Sequence, residues 1–174
     1  MVRRDGMAAV SVRSVAAEAH LSVGSMRHSV ASQSELVAFA MRVLGERVLE
    51  RITSRSDDTG LDGITDVCCE VLPLDAERMA EAEVWVELMT RSRTDPTLRA
   101  VAEETHAGLG ALAGGVVAHL LGPGAAPDHV ALEAERLHAL LDGLALHGVH
   151  HPGGVEPDRV RALVRAHLGS LAVG

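Results

Sequence analysis

The sequence predicts an all-α protein. Apolar residues recur at three- and four-residue spacing along nearly the whole chain, and no segment of useful length alternates apolar and polar residues with period two. Helix-start signals precede several of these periodic segments, the strongest being Asp95-Pro96, a capping residue followed by a first-turn proline. With 174 residues, 47% of them hydrophobic, the chain is long and apolar enough to bury a core. A disordered chain is therefore excluded.

Three helices are predicted in the first 55 residues. Ser11 is a suitable N-cap for a short helix over residues 12–19, and Ser22 opens a second short helix over residues 22–28. A longer helix with a continuous apolar stripe follows over residues 32–55. The first two helices therefore lie about three residues apart.

Five further helices are predicted in the rest of the chain. Each has an apolar stripe at helical spacing, and prolines or glycine-proline pairs separate several of them. Their predicted starts are Leu61, Asp75, Asp95, Asp128 and Glu156. The uncharged stretch at residues 107–127 is diluted by glycines and is interpreted as part of a buried helix, not as a membrane span.

Composition narrows the classes of function. All 16 basic residues are arginine, and residues 1–34 hold four of them against two acidic residues, a balance of +2. The remaining 12 arginines face 22 acidic residues, a balance of −10, so a mildly basic head precedes an acidic body. Only Phe39 and Trp85 are aromatic, which excludes nucleic-acid binding by base stacking. Adjacent Cys68 and Cys69 make a disulfide framework implausible, and with no apolar signal segment the protein is expected to be cytoplasmic.

Two short helices joined by a tight turn are typical of a helix-turn-helix, whose second helix lies in the major groove of DNA. Gly24 would let the backbone approach DNA closely, and Ser11 is placed to bind a phosphate at a helix N-terminus. The polar side chains available for base contacts are Ser22, Ser25, Arg27 and His28. An ordinary pair of capped helices explains the same spacing, so the pattern alone leaves both interpretations open.

Residues 11–28 (SVRSVAAEAHLSVGSMRH) and 32–36 (SQSEL) resemble the DNA-binding head of TetR-family transcriptional repressors. Residues 82–85 (AEVW) and 140–146 (LLDGLAL) are similar to the BetI-like branch. The resemblance implies a homodimer that binds a palindromic operator and releases it when a small molecule enters the body. It predicts a DNA-binding domain over residues 1–50, with a truncated first helix, and a ligand-binding and dimerisation domain over 51–174. The predicted DNA contacts are Ser11, Arg13, Ser22, Val23, Gly24, Ser25, Arg27, His28 and Gln33.

The head departs from the family pattern at three places. His20 stands where the family usually has a turn glycine, and Ser29-Val30 replaces an aromatic pair after the second short helix. Gln33 stands where a phosphate-binding lysine is common. Weaker DNA binding than in typical family members is therefore expected.

The body is predicted to contain an effector pocket and a dimer interface. Residues suited to an adaptable pocket are Cys69, Met79, Trp85, Met89, His106 and His119, although ordinary core positions explain each of them as well. With so few aromatic residues, an aliphatic or mixed effector is favoured over a flat one. The last two helices carry stripes expected to pair with a second copy in a four-helix bundle, or to be buried within one chain: Leu137, Leu141, Leu144, Val160, Leu163, Val164 and Leu168.

No motif for catalysis, phosphate binding or a resident cofactor is present, so an enzyme is not predicted. His147, His150 and His151 have a spacing that suits a metal, but they end a helix, lack a nearby carboxylate and are interpreted as capping residues. The predicted partners are operator DNA, a small-molecule effector and a second copy of the chain, with no membrane. Two alternatives stay open: a dimeric helical small-molecule-binding protein that has weakened or lost DNA recognition, and a helical enzyme that uses the histidine-rich body.

Overall fold

The computed structural model describes residues 13–14, 32–55, 58–154 and 156–172. Within these ranges the regular structure is helical, with no strand, which confirms the all-α prediction. The helices are α1 (Gln33–Ser54), α2 (Leu61–Cys69), α3 (Ala76–Ser92), α4 (Pro96–Leu121), α5 (Pro127–His150) and α6 (Pro157–Leu171). None of the described helices combines the length and apolarity needed to cross a bilayer.

Three of the described helices, α1, α3 and α4, begin where local capping chemistry predicts. The Ser32 hydroxyl accepts a hydrogen bond from the amide of Glu35 at the start of α1. Asp75 caps α3, and Asp95 caps α4 by accepting from the amide of Thr97 at 2.9 Å. These side chains satisfy amides that the first helical turn leaves without partners. Helix α4 ends at Gly122, whose φ of 75° lies in the left-handed region that favours glycine.

Two hydrophobic clusters form the core. The larger one joins α2, the second half of α4, α5 and α6, with Leu72, Val117, Leu137, Leu141, Val164 and Leu168 almost completely buried. The smaller one joins α1 to α3 and the first half of α4 through Val37, Ala38, Leu88, Leu98, Val101 and Ala102. Because α4 contributes to both clusters, it connects the packing around α1 to the rest of the body.

Helix α1 packs on the body at its N-terminal end. Leu36, Val37 and Ala38 are buried, whereas Phe39 and Leu49 are 59% and 64% exposed. The helix runs without interruption through residue 50, the predicted end of the DNA-binding domain. A domain boundary at that residue stays a prediction, and it would fall inside a continuous helix.

Candidate effector, dimer and DNA sites

Most of the predicted DNA contacts lie outside the described residues. These are Ser11, Ser22, Val23, Gly24, Ser25, Arg27 and His28, together with the departures at His20, Ser29 and Val30. Arg13 is described as an exposed helical residue. Gln33 is the half-buried first residue of α1, directly after the Ser32 cap. The assignment of these residues to DNA contact stays a prediction.

Arg51 fastens the C-terminal half of α1 to the body. Its Nη1 and Nη2 atoms donate to the two carboxylate oxygens of Glu81 on α3, at 3.0 and 2.7 Å. Its Nε donates to Oε2 of Glu70, just after α2, at 2.8 Å. This fork geometry is the strong, orientation-specific arrangement of arginine and carboxylate, and it raises the pKa of Arg51 above the usual value. Helix α1 is thereby tied to α2 and α3 at once.

Glu70 is the buried centre of this network. Its side chain is only 4% exposed, and the Arg55 Nε lies 2.8 Å from its Oε1. Arg78 lies at 3.9 Å and also donates to the backbone oxygen of Cys69. A carboxylate this buried is tolerated because several guanidinium groups compensate for its lost hydration. This network leaves no local sequence signal because its members are far apart in the chain.

A second polar contact joins the start of α1 to the start of α4. The Ser34 hydroxyl donates to Oδ2 of Asp95, while Oδ1 of Asp95 caps α4. The Ser34 hydrogen bond is the largest of several interactions that lower the pKa of Asp95. One carboxylate therefore serves both as a helix cap and as a link between two helices.

A cleft of about 770 Å³ lies where the start of α3, the end of α5 and the start of α6 meet. Gly148 allows this close approach, because a Cβ there would lie 2.4 Å from Cγ of Pro73. The lining combines apolar surface with histidines and carboxylates: Pro73, Leu74, Asp75, Ala76, Met79, Leu144, His147, Gly148, His151, Gly153, Gly154, Glu156, Pro157 and Val160. Such a mixture suits a small molecule with an apolar body and a polar group.

The six predicted pocket residues take different positions in the described part of the chain, and their assignment to an effector pocket stays a prediction. Only Met79 lines the cleft. Trp85 packs against the larger cluster and Met89 against the smaller one. Cys69 is 3% exposed within the larger cluster, and burial raises the pKa of its thiol. These three contribute to helix packing.

The two histidines of the predicted pocket lie on α4, 13 residues apart, about 20 Å along the helix axis. His119 is exposed, with its Nε2 atom 3.4 Å from the backbone oxygen of Thr59. His106 lies beside His138 of α5, with the ring centroids 4.5 Å apart. The two histidines therefore lie in different parts of the body.

The predicted dimer residues are mostly covered within one chain. Leu137, Leu141, Val160, Val164 and Leu168 are buried in the larger cluster, Leu144 lines the cleft, and Leu163 is 38% exposed. For the five buried residues, burial within one chain, the alternative considered from the sequence, accounts for the apolar stripe. Both C-terminal helices thus use their main leucine stripes internally.

A different apolar surface of the same helices is exposed. Leu132 and Leu146 of α5 are 54% and 42% exposed, and exposed Ala139 lies midway between them. Their seven-residue spacing places all three on one face of α5. On α6, Leu163 is accompanied by exposed Ala166. The sequence signal for this surface is the spacing of apolar residues at i, i+7 and i+14 on α5. This signal was missed because the neighbouring leucine stripe is stronger.

Unsatisfied polar atoms lie between these two helices. Glu133 is 4% exposed and its Oε1 accepts from Arg136 at 2.7 Å, whereas its Oε2 has no hydrogen-bond partner among the described residues. Nε2 of His167 on α6 is likewise buried without a partner in the described part. Burial, followed by the charge of Arg136, lowers the pKa of His167.

Comparison with known proteins identifies the family. Residues 61–173 match the family described as "BetI-type transcriptional repressor, C-terminal". The HTH-type transcriptional regulator PksA of Bacillus subtilis (strain 168) is 34% identical over 175 residues, which cover 97% of this chain and 82% of PksA.

Solved structures share the fold. A transcriptional regulator from Rhodococcus sp. Rha1 has a TM-score of 0.83 at 29% identity, covering 99% of this chain and 90% of its own. A protein from Saccharomonospora viridis in complex with choline has a TM-score of 0.79 at 18% identity, covering 97% and 89% of the two chains, and shows the fold alone. The chain belongs to the TetR family of transcriptional regulators, with a BetI-type C-terminal domain.

Proposed function

We propose that this regulator is a cytoplasmic, ligand-responsive repressor that binds a palindromic operator as a homodimer and releases it when a small molecule enters the body. The observation that carries the proposal is the similarity to an HTH-type regulator over 97% of the chain, a span that includes the head. Residues 22–28 would then enter the major groove, and Ser11, Arg13 and Gln33 would contact the backbone.

The contacts of α1 connect the cleft, where the effector would bind, to the DNA-binding head. Met79, which lines the cleft, lies two residues before Glu81 on α3, and Glu81 holds Arg51 of α1. A ligand that displaces the start of α3 would move α1 through this ion pair. In a dimer, that movement would change the spacing of the two heads away from the roughly 34–36 Å between successive major grooves. Effector binding and operator binding would then oppose each other.

The cleft favours an effector with an aliphatic body. None of its described lining residues is Phe, Tyr or Trp, and the whole chain has only one Trp and one Phe. Recognition of a quaternary ammonium group such as choline depends on aromatic faces around the cation. Choline, the ligand of the Saccharomonospora viridis protein, is therefore not the effector class that this cleft favours.

The exposed surface of α5 and α6 is the proposed dimer interface. Leu132, Ala139 and Leu146 of α5 and Leu163 of α6 would pack against the same residues of a second copy to form a four-helix bundle. Leu146→Glu should yield monomers by sedimentation velocity. Leu49→Glu, on the even more exposed Leu49 of α1, is the matched control and should stay dimeric. A dimeric Leu146→Glu variant would exclude this interface.

Selection of bound duplexes from a random DNA pool tests the whole proposal. The expected product is a palindrome whose half-sites are one helical turn apart, bound with a strong dependence on salt. Arg27→Ala should weaken binding by about 1–3 kcal/mol if Arg27 contacts a base. Arg42→Ala, an exposed arginine on α1, is the control that should bind normally. A library of aliphatic acids, amines and alcohols should then contain compounds that dissociate the complex.

A second candidate function is favoured by the residues after the second short helix. Family heads commonly direct an aromatic hydroxyl and a positive charge at phosphates from these positions, whereas this chain has Ser29, Val30 and Gln33 there. On this alternative, the chain is a dimeric small-molecule-binding protein with weak or no operator recognition. Absent or sequence-independent DNA binding, combined with retained ligand binding by the body, would favour it. Ser29→Tyr with Gln33→Lys should then restore DNA affinity.

A further inference from the structure

A cluster of potential metal ligands lies between α4 and α5, away from the cleft. His106 comes from α4, and His138 and Asp142 come from α5. His138 and Asp142 are four residues apart and therefore lie on the same helical face. One ligand atom from each of the three residues lies within 4.8 Å of the other two. Two imidazoles and a carboxylate thus converge from two helices that contact each other extensively.

The cluster contains a buried nitrogen with unmet bonding capacity. The side chain of His138 is only 12% exposed, and its Nε2 is buried without a hydrogen-bond partner in the described residues. Oδ2 of Asp142 is the nearby acidic atom, but its distance of 3.7 Å from Nε2 is too long for a hydrogen bond. Buried polar atoms in folded proteins nearly always have a hydrogen-bond partner or a bound ligand. A partner is therefore expected for Nε2 of His138.

The negative charge of Asp142 is a second observation that favours a bound cation. Its side chain is partly buried beside His138. No arginine is paired with Asp142 among the described residues, whereas Asp62, Asp66 and Asp75 each have an arginine partner. A cation between Asp142 and the two imidazoles would stabilise the charged carboxylate and occupy the free nitrogen.

We propose that His106, His138 and Asp142 form a binding site for a divalent transition-metal ion. Neutral imidazole nitrogens and a carboxylate oxygen are preferred ligands of Zn²⁺, Ni²⁺ and Co²⁺. Ligand atoms must come to about 2.0–2.2 Å from zinc, so the three groups must converge further than in the structure. His106 is exposed and can rotate to do so. Solvent would complete the coordination on that side.

The metal site differs from the histidines near the end of α5. His147 and His151 are exposed, their ring centroids are 6.3 Å apart, and both line the cleft. No acidic residue shares a metal-sized cluster with them among the described residues. They therefore provide a control, because a general affinity of surface histidines for metals would appear there as well.

Metal titration of the untagged full chain tests the proposal. After treatment with a chelator, Co²⁺ is added while its visible absorption is recorded, and Zn²⁺ and Ni²⁺ binding is measured by calorimetry. The expected result is one ion per chain. His106→Ala and His138→Ala should each weaken affinity at least about tenfold, whereas His151→Ala should bind as the wild type does. His106→Ala changes an exposed residue, and circular dichroism verifies that each variant is folded.

Asp142→Asn separates a ligand from a merely structural residue. Zn²⁺ should raise the melting temperature of the wild type but not that of this variant. Failure of the wild type to bind one ion, or loss of binding in His151→Ala with retention in His106→Ala, would overturn the proposal. Metal binding here is independent of DNA binding, so either can fail alone.

Discussion

Arg51→Ala tests whether the ion-pair network holds α1 against the body. The substitution removes the paired hydrogen bonds to Glu81 and two hydrogen bonds to Glu70, one to its carboxylate and one to its backbone oxygen. Arg55 and Arg78 remain close to Glu70, so the main uncompensated group is the Glu81 carboxylate, whose side chain is 11% exposed. Removing one partner of a buried ion pair costs about 3–5 kcal/mol, and we expect about 3 kcal/mol because Glu70 keeps two partners.

The assay is thermal and urea unfolding followed by circular dichroism. For a chain of this size, about 3 kcal/mol corresponds to a decrease of about 6–12 °C in melting temperature. Arg51→Lys should fall between the wild type and Arg51→Ala, because lysine keeps the charge but loses the planar fork. A double-mutant cycle with Glu81→Gln should give a coupling free energy of about 1–3 kcal/mol.

Arg42→Ala is the matched control. Arg42 also lies on α1 and pairs with Glu104 of α4, but the distance is 4.0 Å and the two side chains are 58% and 65% exposed. An exposed pair of this kind should change stability by no more than about 0.5 kcal/mol. If Arg51→Ala unfolds no more easily than Arg42→Ala, the network does not stabilise α1, and the proposed route from cleft to head loses its physical basis.

Three further predictions concern stability and reactivity. Asp95→Ala should lower the melting temperature, because it removes the α4 cap and the acceptor of the Ser34 hydrogen bond. Asp95→Asn should lower it less, because asparagine retains part of both interactions. Equal melting temperatures for the wild type, Asp95→Ala and Asp95→Asn would contradict this prediction. Burial lowers the pKa of His167, so as pH falls below about 6.5 the unfolded chain takes up a proton before the folded chain does. The free energy of unfolding should therefore decrease with falling pH until the pH is below the pKa of the folded state. In unfolding scans at pH 7.5 and 5.5, His167→Gln should show a smaller loss than the wild type. Burial raises the pKa of Cys68 to about 12 and that of Cys69 above its usual value. Ellman's reagent should therefore modify both thiols only after the chain unfolds. Rapid modification of the folded chain would refute their burial.

Local chemistry explains why the helices could be predicted. Ser32, Asp75 and Asp95 cap amides within three residues of themselves, so their effect is already visible in a short window of sequence. The family resemblance was also visible, and the match over residues 61–173 confirms it.

Sites that join distant segments could not be predicted in the same way. Of the six predicted pocket residues, Met79 alone lines the cleft, because apolar side chains at helical spacing pack against neighbouring helices as readily as they line a cavity. The seven-residue spacing of Leu132, Ala139 and Leu146 was present in the sequence. Which of the two leucine stripes of α5 turns inward depends on where α4 and α6 lie.

The amino-acid sequence by itself determined the all-α fold class, the starts of the three capped helices and the family, because periodicity and capping depend on residues only a few positions apart. The tertiary structure alone decided that Arg51 meets Glu81, and that His106 faces His138 and Asp142. These groups lie 30 or more residues apart in the chain. Their meeting depends on how the helices are packed and rotated, which is set by the combined burial of the whole core.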